Sequence, residues 1–177
     1  IESDHVVEVF GAGVDRATKM PWMAMELLEG EDLEAYLGRL GRLAWSDAWN
    51  IAGELCHALE AAHRIGVVHR DLKPSNVFLA RSRRPGVTRE IKVLDFGIAK
   101  QTSDTGKTTG TLGTPLYMSP EQTMAGSAFS SATDVWALGL LLFEMLTGVS
   151  YWKTASADQA QIAMLLREVI LDPLVPA

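Results

Sequence analysis

Cysteine is nearly absent. Cys56 is the single one among 177 residues, which excludes an internal disulfide framework and fits a reducing compartment. Basic charge is also scarce: 16 lysines and arginines face 22 aspartates and glutamates. The net charge of −6 leaves no electrostatic footprint for nucleic acid or for an acidic membrane surface. No apolar run is long enough to cross a bilayer; the most apolar, Val135 to Leu146, falls short and carries Glu144. No signal peptide opens the chain at Ile1, and no segment repeats. His57 and His63 lack the spacing of a metal site and read as surface or internally satisfied side chains. A hydrophobic content of 47% excludes a disordered tail. These limits leave one soluble, cytoplasmic domain with a core of its own.

Within it one stretch is dense in chemistry. Val67-Val68-His69-Arg70-Asp71-Leu72-Lys73-Pro74-Ser75-Asn76 sets a carboxylate, an ammonium and a carboxamide in one short loop. Asp95-Phe96-Gly97 then adds a second carboxylate in an apolar setting. Phosphoryl transfer needs this combination: one carboxylate to accept the attacking hydroxyl's proton, further oxygens to hold Mg²⁺ on the phosphates, and a fixed cation to offset charge on the group in flight.

The same residues resemble a known family. His69-Arg70-Asp71-Leu72 with Asn76 fits the catalytic loop of eukaryotic-type protein kinases, and Asp95-Phe96-Gly97 fits their metal-binding turn. Ser119-Pro120-Glu121 closes the activation segment where most kinases have Ala-Pro-Glu. Lys73 is the variant of the Ser/Thr branch, and the run Gly113 to Gln122 looks most like the bacterial Ser/Thr kinases. The resemblance implies an α+β, protein-kinase-like fold, mostly the helical C-terminal lobe with the last two strands and the hinge of the N-terminal lobe. Residues 1–25 would be the remnant of the N-lobe, 26–32 the hinge and 33–177 the C-lobe, with catalytic loop 69–76 and activation segment 95–121. It also implies ATP and Mg²⁺, Ser/Thr hydroxyls of protein substrates as acceptors, and a kinase dimer for autophosphorylation.

Roles follow from the same resemblance. Asp71 would be the base, Lys73 would neutralise the γ-phosphate, and Asn76 and Asp95 would hold metal. Met25 would guard the back of the adenine pocket, with main-chain groups of Glu26 and Leu28 pairing with the base and Phe78 as its floor. Asp32 has two open readings, a ribose carboxylate or a solvated residue in the first turn of a helix. His69 would pack beneath the metal-binding turn, with Phe96 as an apolar plug and Gly97 permitting the turn. Arg70 would pair with an activation-loop phosphate on Thr108 or Thr109. Thr114 would bridge Asp71 and Lys73, Glu121 would lack its downstream arginine partner, and Asp134 would accept hydrogen bonds from the catalytic-loop backbone.

Pattern alone supplies the elements. Val6, Val7, Val9 and Phe10 read as a strand that Gly11-Ala12-Gly13 ends, antiparallel to a second run from Pro21 to Leu28. Helices are expected over Asp32 to Leu40, over Ser46 to Ile65 with Ser46 as N-cap, over Ala132 to Leu146, and over Ser156 to Ile170. Ala48, Ile51, Leu55, Leu59 and Ala62 form the buried stripe of the second, and Cys56 beside it reads as an inert packing residue. Val135 to Leu146 is apolar on nearly all sides and should be surrounded by protein. Val77 to Leu79 and Ile91 to Leu94 read as a hairpin, with Arg81, Arg83, Arg84 and Arg89 at a solvated tip. Ile162, Leu165, Leu166 and Val169 share one side of the last helix.

The family's Gly-rich loop, strand lysine and helix glutamate have no counterpart here, since Gly11-Ala12-Gly13 and Lys19 fall in the wrong places. The chain is therefore expected to be nearly inactive by itself and to expose an unpaired strand edge. Two other readings compete: a scaffold that has lost the chemistry, and a small-molecule phosphotransferase. Retention of Asp71, Lys73, Asn76 and Asp95 weighs against the first, and the Gly113-to-Glu121 segment against the second.

Overall fold

Two small antiparallel sheets and four α-helices are found among the described residues. The computed structural model describes residues 1–82, 86–96, 116–124, 126–153 and 159–171. Strand β1 (Val9–Val14) pairs with β2 (Pro21–Met25), while β3 (Gly30–Asp32), β4 (Val77–Arg81) and β5 (Arg89–Val93) form a second sheet in the order β3-β4-β5. Helices α1 (Leu33–Leu40), α2 (Trp45–Arg64), α3 (Ser131–Thr147) and α4 (Gln159–Leu171) supply most of the remainder.

Gly11-Ala12-Gly13 does not end the first strand, as its composition suggested, but lies inside β1. The reason is across the ladder: Gly13 faces Trp22, and a β-carbon there would come within 3.1 Å of the indole. The glycine makes room for the ring. Helix α2 begins one residue before the expected N-cap. Ala44 occupies the cap without a side-chain bond, and Ser46 already lies in the first turn. Its buried stripe is Ala48, Ile51, Leu55, Leu59 and Ala62, as the 3.6-residue period requires. Cys56 is exposed, which corrects the reading of it as a packing residue; one step around the helix from Leu55 turns it outward.

The core gathers where α2, α3 and the three-stranded sheet meet. Leu33, Leu55, Leu72, Leu141 and Met145 are fully buried there. Burial of such side chains contributes roughly 1.5–3 kcal/mol each relative to exposure. A smaller cluster of Leu140, Trp152, Leu165 and Val169 seats α4. Leu166 is half-buried, and Ser156 lies outside the described residues. Helix α3 is not surrounded on all sides as its composition suggested. Val135 is 61% exposed and Gly139 is exposed, because the described neighbours cover the side that carries Ala137, Leu140, Leu141 and Met145.

The β4–β5 hairpin forms as expected, but its arginines are not all a solvated tip. The Arg89 guanidinium stacks 4.7 Å from the Tyr36 ring centroid, a cation–π contact onto α1, whereas Arg81 stays exposed beside Glu29. Arg83 and Arg84 lie outside the described residues. Every residue of β2 is exposed, so the two-stranded sheet leaves its outer surface bare.

Gly30 joins the two halves. It has φ +149°, and a β-carbon would sit 2.1 Å from the Leu79 carbonyl oxygen of β4. Only glycine lets β3 approach β4 this closely. Gly30→Ala is expected to lower stability by about 2 kcal/mol or more, while Gly38→Ala in α1, with open space around it, stays neutral or gains a few tenths of a kcal/mol. Urea unfolding of the two variants checks this.

Candidate active site

The loop from His69 to Asn76 is built on one buried carboxylate. Asp134 sits in the first turn of α3, whose N-cap Ser130 accepts from the Ala132 N–H, and has no exposed surface. Its Oδ2 accepts from the His69 N–H at 2.9 Å and from His63 Nε2 at 2.7 Å, and its Oδ1 accepts from the Arg70 N–H at 2.9 Å. Arg70 holds a left-handed backbone (φ +65°), a conformation that costs a non-glycine residue about 1–3 kcal/mol unless its surroundings impose it. Asp134 takes its N–H, and the Gln122 side chain donates to its carbonyl at 2.7 Å. Both backbone groups are therefore held.

His69 is fully buried and bonded at both ring nitrogens. Nε2–H donates to the Leu94 carbonyl at 2.8 Å, so Nδ1 is the acceptor for the Asp71 N–H at 3.2 Å. The ring packs 4.7 Å from Phe96, itself buried. Burial holds the imidazole below its ordinary pKa, outweighing the Leu94 bond and the fields of Asp134, Asp71 and Asp95, which act the other way.

The polar side chains then meet. Lys73 Nζ lies 3.1 Å from Asp71 Oδ2, with both side chains more than a third exposed. Pro74 opens a short 3-10 turn (Pro74–Asn76) that swings Asn76 back under Asp71. Asn76 Nδ2 donates to the Asp71 carbonyl at 2.8 Å and contacts its Oδ2 at 3.3 Å. Leu94, the neighbour of Asp95, donates its N–H to the Asn76 carbonyl at 2.9 Å. The β4–β5 register thus brings Asp95, exposed and with φ +48°, beside Asn76.

Between β2 and α1, Asp32 caps α1, its Oδ1 accepting from the Ala35 N–H at 2.7 Å, and stands opposite Phe78 in the β3–β4 register. Met25 is 40% exposed, Glu26 and Leu28 are half-buried, and Leu28 has no hydrogen-bond partner among the described residues. Glu121 accepts from the Thr133 hydroxyl at 2.7 Å and has no ion pair among the described residues. Gly97, Thr108, Thr109 and Thr114 lie outside the described residues.

A family model described as the protein kinase domain matches residues 1–173. The chain belongs to the protein kinase family. It is 36% identical over its whole length to serine/threonine-protein kinase Pkn1 of Myxococcus xanthus, covering 24% of that protein. It is 38% identical over 83% of its length to serine/threonine-protein kinase A of Synechocystis sp., covering 29% of it. Serine/threonine-protein kinase PknB of Mycobacterium tuberculosis is 30% identical over 97% of the chain, with 27% of that protein covered. This kinase-family chain thus spans about a quarter of the length of the curated relatives it matches.

Some supporting contacts of this kinase domain have little sequence signal. The pairing of Gln122 with Arg70 could be suspected only from the Ser119-to-Gln122 capping-box spacing, which the structure contains. The Tyr117 hydroxyl donates to the Glu144 carboxylate of α3, and burial pushes the phenol pKa up, with that bond and charge adding to it.

Asp134→Ala would leave two loop N–H groups and His63 without their acceptor, and is expected to cost about 3 kcal/mol or more in urea unfolding. His69 generates a pH dependence whose sign follows from its lowered pKa. The stability is complete above the unfolded value of about 6.5 and is lost as pH falls through the folded value, because the unfolded chain takes up the proton first. The wild-type protein should lose more stability than His69→Phe between pH 7.5 and pH 5, as about two urea titrations per protein would show.

Proposed function

We propose that this chain forms most of a serine/threonine kinase domain that transfers the ATP γ-phosphoryl group to hydroxyls of protein substrates. Residues 1–25 belong to its N-lobe, 26–32 to its hinge and 33–177 to its C-lobe. One observation carries the reading: Lys73 and Asn76 both contact Asp71 in a loop held at Asp134, and the Asn76 carbonyl is bonded to the N–H of Leu94, the residue before Asp95.

Asp71 accepts the proton of the attacking hydroxyl, and Lys73, already within ion-pair distance of it, offsets charge on the transferred group. The donor set suits a hard cation. Asn76 commits its nitrogen to Asp71, which leaves Oδ1 as its available atom, and Asp95 offers an exposed carboxylate without a hydrogen bond among the described residues. Two oxygen-bearing side chains suit Mg²⁺, an ion that relies on phosphate and water for its other ligands. When bound there the ion would neutralise phosphate charge.

Main-chain groups of Glu26 and Leu28 read the adenine, with Met25 behind it and Phe78 beneath. Asp32, opposite Phe78, keeps one carboxylate oxygen for the ribose. Arg70 receives a phosphate on Thr108 or Thr109; its Nε is buried without a hydrogen bond, and its guanidinium lies over Phe129 at 5.1 Å.

Incubation with radiolabelled ATP and a basic protein tests the proposal, using the longest polypeptide that carries this chain. Asp71→Asn should reduce label transfer about a hundredfold or more. Equal label from both proteins would overturn the assignment. Mass spectrometry of active protein should find phosphate on Thr108 or Thr109.

A further inference from the structure

The two sheets are joined by two passages of chain that meet at one carboxylate. On the first, residues His5 to Val7 run beside β5: the Val7 N–H donates to the Val93 carbonyl at 3.1 Å, and the Val93 N–H to that of His5 at 2.8 Å. The chain then crosses to β1 at Glu8. On the second passage it leaves β2 at Glu26. The Glu26 N–H donates to the Glu8 carbonyl at 2.9 Å, and Glu26 Oε1 accepts from the Glu8 N–H at 2.9 Å. The same oxygen lies 3.0 Å from Lys92 Nζ, which rises from β5 opposite Phe78.

The side chains of Lys92 and Glu26 are 13% and 18% exposed, so water and salt screen this pair less than a surface one. Packing does not replace it. A cavity of about 390 Å³ lies between Glu26 to Glu29 on one side and Ala80, Glu90 and Lys92 on the other. Among the described residues no side chain fills it, so without the pair the Glu26-to-Glu29 segment has space to settle into.

We infer that Glu26 and Lys92 are a positioning pair. It ties the two-stranded sheet to the three-stranded one from behind the hinge and sets the height of the Glu26-to-Leu28 backbone above Phe78. Its effect on nucleotide affinity rests on the reading of that backbone as the adenine site.

Lys92→Met and Lys92→Arg, made in the longest polypeptide that carries this chain, test the inference. Lys92→Met should speed amide exchange at Glu8 and Glu26 about tenfold while α2 and α3 keep their protection. The KM for ATP should rise about fivefold with kcat changed less than about twofold, and Lys92→Arg should restore both readouts. Unchanged exchange at Glu8 and Glu26 overturns the pair. Faster exchange throughout α2 and α3, or faster local exchange with an unchanged KM, reduces it to a merely structural contact and overturns the positioning role. A wild-type protein that exchanges as expected but binds no ATP overturns the hinge reading instead, and the positioning role with it.

Discussion

Everything near the site depends on a buried carboxylate that, among the described residues, is satisfied without a lysine or arginine. Asp134 has no contact with water, and a charge so placed is costly unless hydrogen bonds replace its hydration. Two loop amides and one imidazole do so. Its place in the first turn of α3 adds the favourable end of the helix dipole. Helix and loop are therefore conditional on one another. The helix cannot bury this residue unless the loop donates to it, and the loop cannot hold its conformation without that acceptor.

Strain marks the site at two points. Arg70 and Asp95 both adopt positive φ without being glycine, and each flanks a residue whose side chain or backbone closes the site. At Arg70 the compensation is visible as one bond to each backbone group. His69 lies between them, with one nitrogen tied to the carbonyl of Leu94, the residue before Asp95, and the other to the backbone of Asp71. A single uncharged ring thus transmits the position of one carboxylate-bearing turn to the other, and Phe96 keeps water from it. The geometry is that of a preorganised polar cluster on rigid elements.

The junction between the two sheets obeys a different constraint. There the two sheets approach through few covalent and hydrogen-bonded connections, so a glycine without side chain and a partly buried ion pair set their relative placement. Exposed Trp22, Met23 and Met25 on β2 show that this half has little core of its own. Its placement is governed by specific contacts, whereas hydrophobic burial governs the helical part.

Much of this protein was legible from residue order. The 3.6-residue apolar stripe of α2, the antiparallel pairing of Pro21–Met25 with the preceding strand and the β4–β5 hairpin are local, periodic features that neighbours in sequence decide. The clustering of Asp71, Lys73 and Asn76 is local too, within one loop and one short turn. Contacts across long separations decided the rest. Gly13 lies inside a strand where the Trp22 indole takes the space a β-carbon would need, and Cys56 faces outward because the helix phase turns it away from the buried stripe. Val135 is bare because burial depends on what packs there, and Arg89 stacks on Tyr36 because the sheet register brings it to α1. The tie from Asp134 to the loop was implied by family resemblance alone, since no spacing rule connects residues more than sixty positions apart. Periodicity reports which face of an element is apolar; only the folded chain reports what that face, or a single carboxylate on it, will meet.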